Sequence, residues 1–232
     1  MGYSASMASS RQSLRQFQER IREIYSLPDD RHYSVLDLLV QVQRFTMRVL
    51  KGIRTGDKKK LRVNLLIAST WVMAIANRLH IDVEEQVWKR FPAVCSYCGF
   101  APCKCKKIHP EKRAKIKIGS SHRPKDIVGF QNMFRSIYPP EERTLSNAGV
   151  HLAEETGEVS EAVHNFFGQH LQKQFDEIGL EIADYISCIF GVANSVSLDM
   201  ASALGRMVKD GCHVCHKTPC ICTFSGVIAF KS

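Results

Sequence analysis

What is missing narrows the field first. The chain has no uninterrupted apolar run of the roughly eighteen residues a membrane helix needs, so no membrane partner is expected. The opening stretch, MGYSASMASSRQ, lacks the apolar core of a secretory signal. It does fit the loose Met-Gly-x-x-x-Ser myristoylation pattern, but that pattern is short and a frayed terminus is the plainer reading. Period-two alternation is nearly absent, which argues against a sheet-based fold. Basic stripes with interleaved aromatics are missing too, so a nucleic-acid-binding face is not expected.

Positive charge and cysteine are what the chain has in excess. The formal net charge is +9. If eight of the nine cysteines bind two zinc ions as thiolates, that falls to about +5, an ordinary value for this size. Nine cysteines without a secretory signal point to a reducing, cytoplasmic setting and to metal binding rather than disulfides.

The cysteines also reveal that the chain is written twice. Cys95–Cys105 reads CSYCGFAPCKC and Cys212–Cys222 reads CHVCHKTPCIC, both C-x2-C-x4-C-x-C with proline before the third cysteine. The offset is 117 residues, and at that offset Ala76, Asn77, Ile81 and Asp82 meet Ala193, Asn194, Leu198 and Asp199. Further upstream the offset is 113: Phe17-Gln18 meets Phe130-Gln131, Ile24-Tyr25 meets Ile137-Tyr138, and Leu39 meets Leu152. A four-residue length difference between residues 50 and 63 accounts for the change. Residues 12–105 and 125–222 therefore read as tandem copies of one unit. Residues 1–11 form a flexible N-terminus, 106–124 a basic Pro/Gly/Ser-containing linker, and 223–232 a C-terminal tail.

Apolar spacing at i, i+3 and i+4 predicts an all-α bundle. In the first copy helices are expected over Leu14–Tyr25, Val35–Leu50, Lys60–Leu79 and Val83–Phe91. In the second they are expected over Ile127–Ile137, Ser146–Phe167 (capped by Ser146 or Asn147) and Gln172–Ser195, with a short fourth capped by Asp199. Each copy ends in a cysteine loop suited to tetrahedral Zn²⁺, giving one site from Cys95, Cys98, Cys103 and Cys105 and another from Cys212, Cys215, Cys220 and Cys222. An iron–sulfur cluster is the lesser alternative. His213 and His216 have Ser96 and Gly99 as counterparts, so they are not expected to be ligands. Cys188, in mid-helix, reads as a small buried hydrophobe.

Carboxylates mark the second copy. Glu155 and Glu158 are i, i+3 on one helix, and Glu181 and Asp184 are i, i+3 on the next. Such pairs share a face one turn apart. Leu152, Val159, Val163 and Phe166 set Glu155 near the buried stripe, and Asp184 interrupts the apolar run IADYISCIF. Four clustered acids repel unless cations lie between them, and Mg²⁺ suits an all-oxygen site. The bland reading is a solvated acidic face, with Glu154, Glu161 and Glu177 simply exposed.

The order E-x-x-E, then E-x-x-D, with EETGEVSEA, EIADYI and GVANSVSLDM, resembles the MazG-type nucleoside triphosphate pyrophosphohydrolases, all-α enzymes related to dimeric dUTPases. The resemblance covers Ser146 to about Met207. It implies Mg²⁺-dependent hydrolysis of a nucleoside triphosphate to the monophosphate and pyrophosphate. By motif match, Glu155, Glu158, Glu181 and Asp184 would ligate Mg²⁺, Glu154 would help or orient water, and Asn194 and Lys209 would contact substrate. Because Asn194 has a twin in the first copy, a purely catalytic role for it is weakened. The first copy departs from the pattern, with Gln41, Val42, Phe45, Asn64 and Ile67 where the second has Glu154, Glu155, Glu158, Glu181 and Asp184. It is expected to be a degenerate scaffold in an intramolecular pseudo-dimer, with a further homodimer left open. Its cations Arg44, Arg48, Lys51, Arg54 and Lys58 to Lys60 are within reach of a triphosphate in this reading, or else line a solvated helix face. The alternative function is a non-enzymatic zinc-containing nucleotide sensor, or a module binding nucleic acid or protein.

Overall fold

The structure is a computed structural model that describes residues 12–119 and 121–229. The myristoylation pattern lies outside the described residues. All regular structure among the described residues is helical. Among the described residues no single helix is long and apolar enough to cross a membrane.

Among the described residues, ten α-helices follow one another: α1 (Leu14–His32), α2 (Val35–Arg54), α3 (Lys58–Arg78), α4 (Val83–Arg90), α5 (Cys105–Ile108), α6 (Ile127–Ile137), α7 (Leu145–Gln169), α8 (Gln172–Ser195), α9 (Met200–Met207) and α10 (Phe224–Ala229). Helix starts follow side-chain caps. Ser13 and Ser34 form capping boxes with Gln16 and Asp37, and Asp57, Asp82, Asp126 and Asp199 each accept a backbone N–H two or three residues into their helix. Helix α7 begins earlier than the sequence suggests: Thr144, in extended backbone, accepts the Asn147 N–H at 3.1 Å and is the cap in place of Ser146 or Asn147.

Helix α1 runs past its expected end at Tyr25 and through Pro28 to His32. An interior proline removes the hydrogen bond to the carbonyl four residues back, here Ile24. That carbonyl is taken instead by the Cys220 N–H of the second cysteine loop at 2.7 Å. The loop thus repairs the defect that would otherwise end the helix.

Two helical hairpins, α2–α3 and α7–α8, form the centre, with α2 packed on α7 and α3 on α8. The short helices cross over: α4 lies on α8, and α9 touches α3. Helix α1 covers α3 and α4, while α6 covers α8 and α9. The four-residue difference is absorbed where the second hairpin turns, since α7 extends to Gln169 and α8 already starts at Gln172. One core gathers Phe17, Phe45, Phe91, Phe130, Phe134 and Tyr185, and the Tyr185 hydroxyl is satisfied by Thr46 at 2.8 Å.

A polar clamp occurs in both halves. The Gln18 amide donates to Asn77 Oδ1 (3.1 Å) and the Ile81 carbonyl (2.8 Å) and accepts the Val83 N–H (3.0 Å). Gln131 does the same with Asn194 Oδ1 (3.0 Å), the Leu198 carbonyl (2.7 Å) and the Met200 N–H (3.0 Å). In each, the asparagine returns a bond to the glutamine's own carbonyl. A buried amide must be fully paired, and these two pin the bend after each long helix.

Candidate functional site

Helices α7 and α8 are adjacent, so their i, i+3 acids converge. Carboxylate oxygens of Glu155, Glu181 and Asp184 all lie within 4.8 Å of one another. Glu181 and Asp184 are buried and Glu155 is partly so. Glu158 is exposed and stands outside that tight trio, at its rim. Glu154 is also exposed, 3.3 Å from His151 Nδ1.

Burial pushes the Glu155 carboxyl up to about 8, and the charges of Asp184, Glu158 and Glu181 add to the push. Glu181 also rises to about 8, from burial and then Asp184, against the opposing pull of Arg90. The Oε2 atoms of both glutamates are buried with no hydrogen-bond partner. Two orphaned acceptors beside a third carboxylate make a donor set of hard oxygens, which fits Mg²⁺.

Arg90, at the end of α4, reaches into the trio. Its Nε donates to Asp184 Oδ1 at 3.1 Å and Oδ2 at 2.9 Å, and its Nη2 also meets Asp184. Glu181 is 3.9 Å from Nη2. Arg113, from the segment expected to be a solvated linker, comes within 3.8 Å of Asp184 and stacks on Tyr97. Arg143 is the third arginine of the site. Its Nε and Nη2 are buried without a hydrogen-bond partner, and its guanidinium lies against Gly191, where a Cβ would sit 1.8 Å from Nη2.

Several of these groups border a cavity of about 400 Å³ lined by Glu155, Asp184, His151, Arg113, Arg143 and Tyr138 among others, while Glu181 and Arg90 lie outside that lining. Arg48, Lys51 and Lys209 are not in its lining. Arg48 lies over the Phe45 ring at 5.2 Å, and Lys51 and Lys209 are exposed. Asn194 is buried and committed to the Gln131 clamp, so its amide serves the fold.

The three arginines escaped the sequence reading because they come from α4, the linker and the turn before α7. A signal did exist for Arg90. At the repeat offset its counterpart is Met207, just as Asp184's is Ile67, so the charged pair is apolar in the other half.

The cysteine loops form two clusters of four sulfurs each, and all nine cysteines, these eight and Cys188, are free thiols. Cys95–Cys105 and Cys98–Cys103 are 3.7 and 3.9 Å apart at sulfur; Cys212–Cys222 and Cys215–Cys220 are 3.9 and 3.8 Å. A tetrahedron with metal–sulfur bonds of ~2.3 Å has edges of roughly 3.8 Å, so both clusters can hold zinc. Backbone N–H groups point at the sulfurs, from Tyr97, Lys104 and Cys105 in one loop and Val214 and Cys222 in the other. Burial raises the Cys98 and Cys215 thiols, but backbone N–H donors (Lys104 and Phe100 at Cys98, Ile221 and Lys217 at Cys215) and neighbouring thiols outweigh it and bring them to about 7 and about 6. Neither His213 nor His216 belongs to a cluster.

Each loop docks on the opposite half. Cys103 N–H donates to the Ile137 carbonyl at 2.8 Å, and Tyr138 Oη to Cys95 Sγ at 3.5 Å. Correspondingly, Cys220 N–H meets Ile24, and Tyr25 Oη accepts the His213 N–H at 3.3 Å. The first loop therefore walls the carboxylate cavity. No protein-family model, curated protein or solved structure matches this chain.

Proposed function

We propose that the chain is a Mg²⁺-dependent nucleoside triphosphate pyrophosphohydrolase of MazG-like type, with one active site, in the second half. The observation that carries this reading is the juxtaposition of unpaired opposites. Glu155 and Glu181 hold orphaned carboxylate oxygens, and Arg143, lining the same cavity as Glu155, holds orphaned guanidinium nitrogens. A buried unpaired group is costly, and a cation–phosphate ligand satisfies both kinds at once.

Glu155, Glu181 and Asp184 would hold the ion, with Glu158 closing the set from the rim. Bound Mg²⁺ would neutralise phosphate charge and acidify water. Arg143 would donate its fork to phosphate oxygens, a planar bidentate geometry that lysine lacks. Arg90 would keep the Asp184 carboxylate fixed. Water would add to the α-phosphorus as its bond to the bridging oxygen breaks, releasing pyrophosphate and leaving the monophosphate.

We further read the chain as two tandem units packed as an intramolecular pseudo-dimer, each stapled by a structural zinc loop. The paired Gln–Asn clamps and the reciprocal docking of the loops support this. The first unit supplies Arg90 and the Cys95–Cys105 wall rather than a second active site.

The test is a screen of nucleoside triphosphates and dUTP with Mg²⁺ for pyrophosphate release. Glu155→Gln and Asp184→Asn should each abolish release with helical circular dichroism retained. Full turnover in either variant, or release of orthophosphate alone, would remove the assignment.

A further inference from the structure

The first half holds a second cavity, of about 280 Å³, at the place that answers to the carboxylate cavity. Its lining includes Ile67, Phe45 and Trp71, whose counterparts at the repeat offsets are Asp184, Glu158 and Cys188. The second cysteine loop walls it through Cys212, Cys220 and Cys222, as the first loop walls the other.

The chemistry of the two is opposite. The walls here are aromatic: Tyr33 meets Trp71 edge-on at 5.5 Å and Phe224 at 5.7 Å, with Tyr25 and Phe45 completing the box. Among the described residues no lysine or arginine lines it, and its basic side chains are His32 and His213, so a phosphate group would find no permanent counter-charge. Two polar groups interrupt the apolar surface. The Tyr33 hydroxyl is buried and finds no partner among the described residues. The Asp29 carboxyl is buried as well and borders the same space.

Aromatic residues at helical spacing ordinarily fill a core. Here they line a partly open pocket large enough for a small ring system, rather than filling it with their own side chains. An alkyl chain would leave both polar groups unpaired, whereas a flat ring with a polar edge stacks on the walls and pairs with them. We propose that this cavity binds a planar, uncharged heteroaromatic ring bearing an N–H donor, of the size of a free nucleobase. The inference does not rest on the hydrolase reading, since it uses neither the carboxylate trio nor a metal.

The test uses the full chain without Mg²⁺ or triphosphate and reads tryptophan fluorescence. Trp71 lines the cavity, and the other tryptophan, Trp88, does not. The probe is adenine, with toluene and adenosine monophosphate as comparisons. Saturable quenching is expected, with Kd on the order of 100 µM to 1 mM, the range open to a fragment of about ten heavy atoms. The quench should vanish in Trp71→Phe and the affinity should fall roughly fivefold in Tyr33→Phe, a change small enough to keep the fold. Toluene and adenosine monophosphate should bind more weakly than adenine. Absence of saturable binding at 5 mM adenine, quenching that survives Trp71→Phe, toluene or adenosine monophosphate binding as tightly as adenine, or full affinity in Tyr33→Phe would each overturn the proposal.

Discussion

Arg90 and Asp184 lie 94 positions apart in the chain, yet the guanidinium of one grips both carboxylate oxygens of the other. Both side chains are about nine-tenths buried. Glu181 stands 3.9 Å from the same guanidinium, so a single arginine from one half is the nearest counter-charge for two acids of the other.

Removing that cation should expose the repulsion it offsets. Breaking a buried pair by deleting one partner costs about 3–5 kcal/mol, because the remaining charge is left stranded. Arg90→Met should therefore unfold at clearly lower temperature in Mg²⁺-free buffer. Millimolar Mg²⁺ should raise its melting temperature more than that of the parent, since the ion takes over the neutralising role. Equal Mg²⁺ effects on the two proteins would show that the acids do not share an ion.

The cysteine loops should be separable in their consequences. Cys95→Ser and Cys212→Ser should each lower zinc content from about two to about one per chain by elemental analysis. The first loop walls the carboxylate cavity and bonds to Tyr138 and Ile137, so Cys95→Ser should depress pyrophosphate release more than Cys212→Ser does. The reverse order would contradict the docking described above.

Gly191 gives Arg143 its berth. An alanine Cβ there would lie 1.8 Å from Nη2 and 2.9 Å from Cζ, and the flexible guanidinium must yield. Gly191→Ala should change stability by no more than about 1 kcal/mol, because alanine suits a helix and a side-chain end can move. Pyrophosphate release should nonetheless fall by one to two orders of magnitude, the scale for losing one preorganised donor. Parent-like release in a correctly folded variant would take Arg143 out of the site.

Asp29 carries a pH signature. Burial pushes its carboxyl from 3.8 up to about 7, with Arg78 opposing and Asp30 adding to the rise. The folded chain then holds this proton more tightly than the unfolded one, so the group's stabilising contribution is complete below about pH 4. It is lost progressively as pH rises through about 7. Asp29→Asn should remove that slope and, at pH 8, stabilise the protein by about 1–3 kcal/mol, less than the roughly 4 kcal/mol ceiling set by the shift. Denaturant melts at pH 5 and pH 8 measure this directly; an unchanged difference between the two would show that Asp29 is ionised without penalty.

Local chemistry decided most of the helices. Periodicity locates α6 and α8 to the residue, because the apolar spacing lies within the segments themselves. The i, i+3 acids were legible for the same reason, since helical geometry puts such pairs on one face whatever surrounds them. The sulfur clusters were equally so, as each is closed within eleven residues. Tertiary structure decided what those signals meet. Helix α1 continues through Pro28 only because a distant loop takes the freed carbonyl, and Asn194 turns inward only because Gln131 is there to pair with it. Arg90 and Arg113 reach the acids, and Arg143 lines their cavity, from segments distant in the chain, and no spacing rule links a charge on one element to a partner on another. The sequence could show that the acids need company, and packing alone chose which cations provide it.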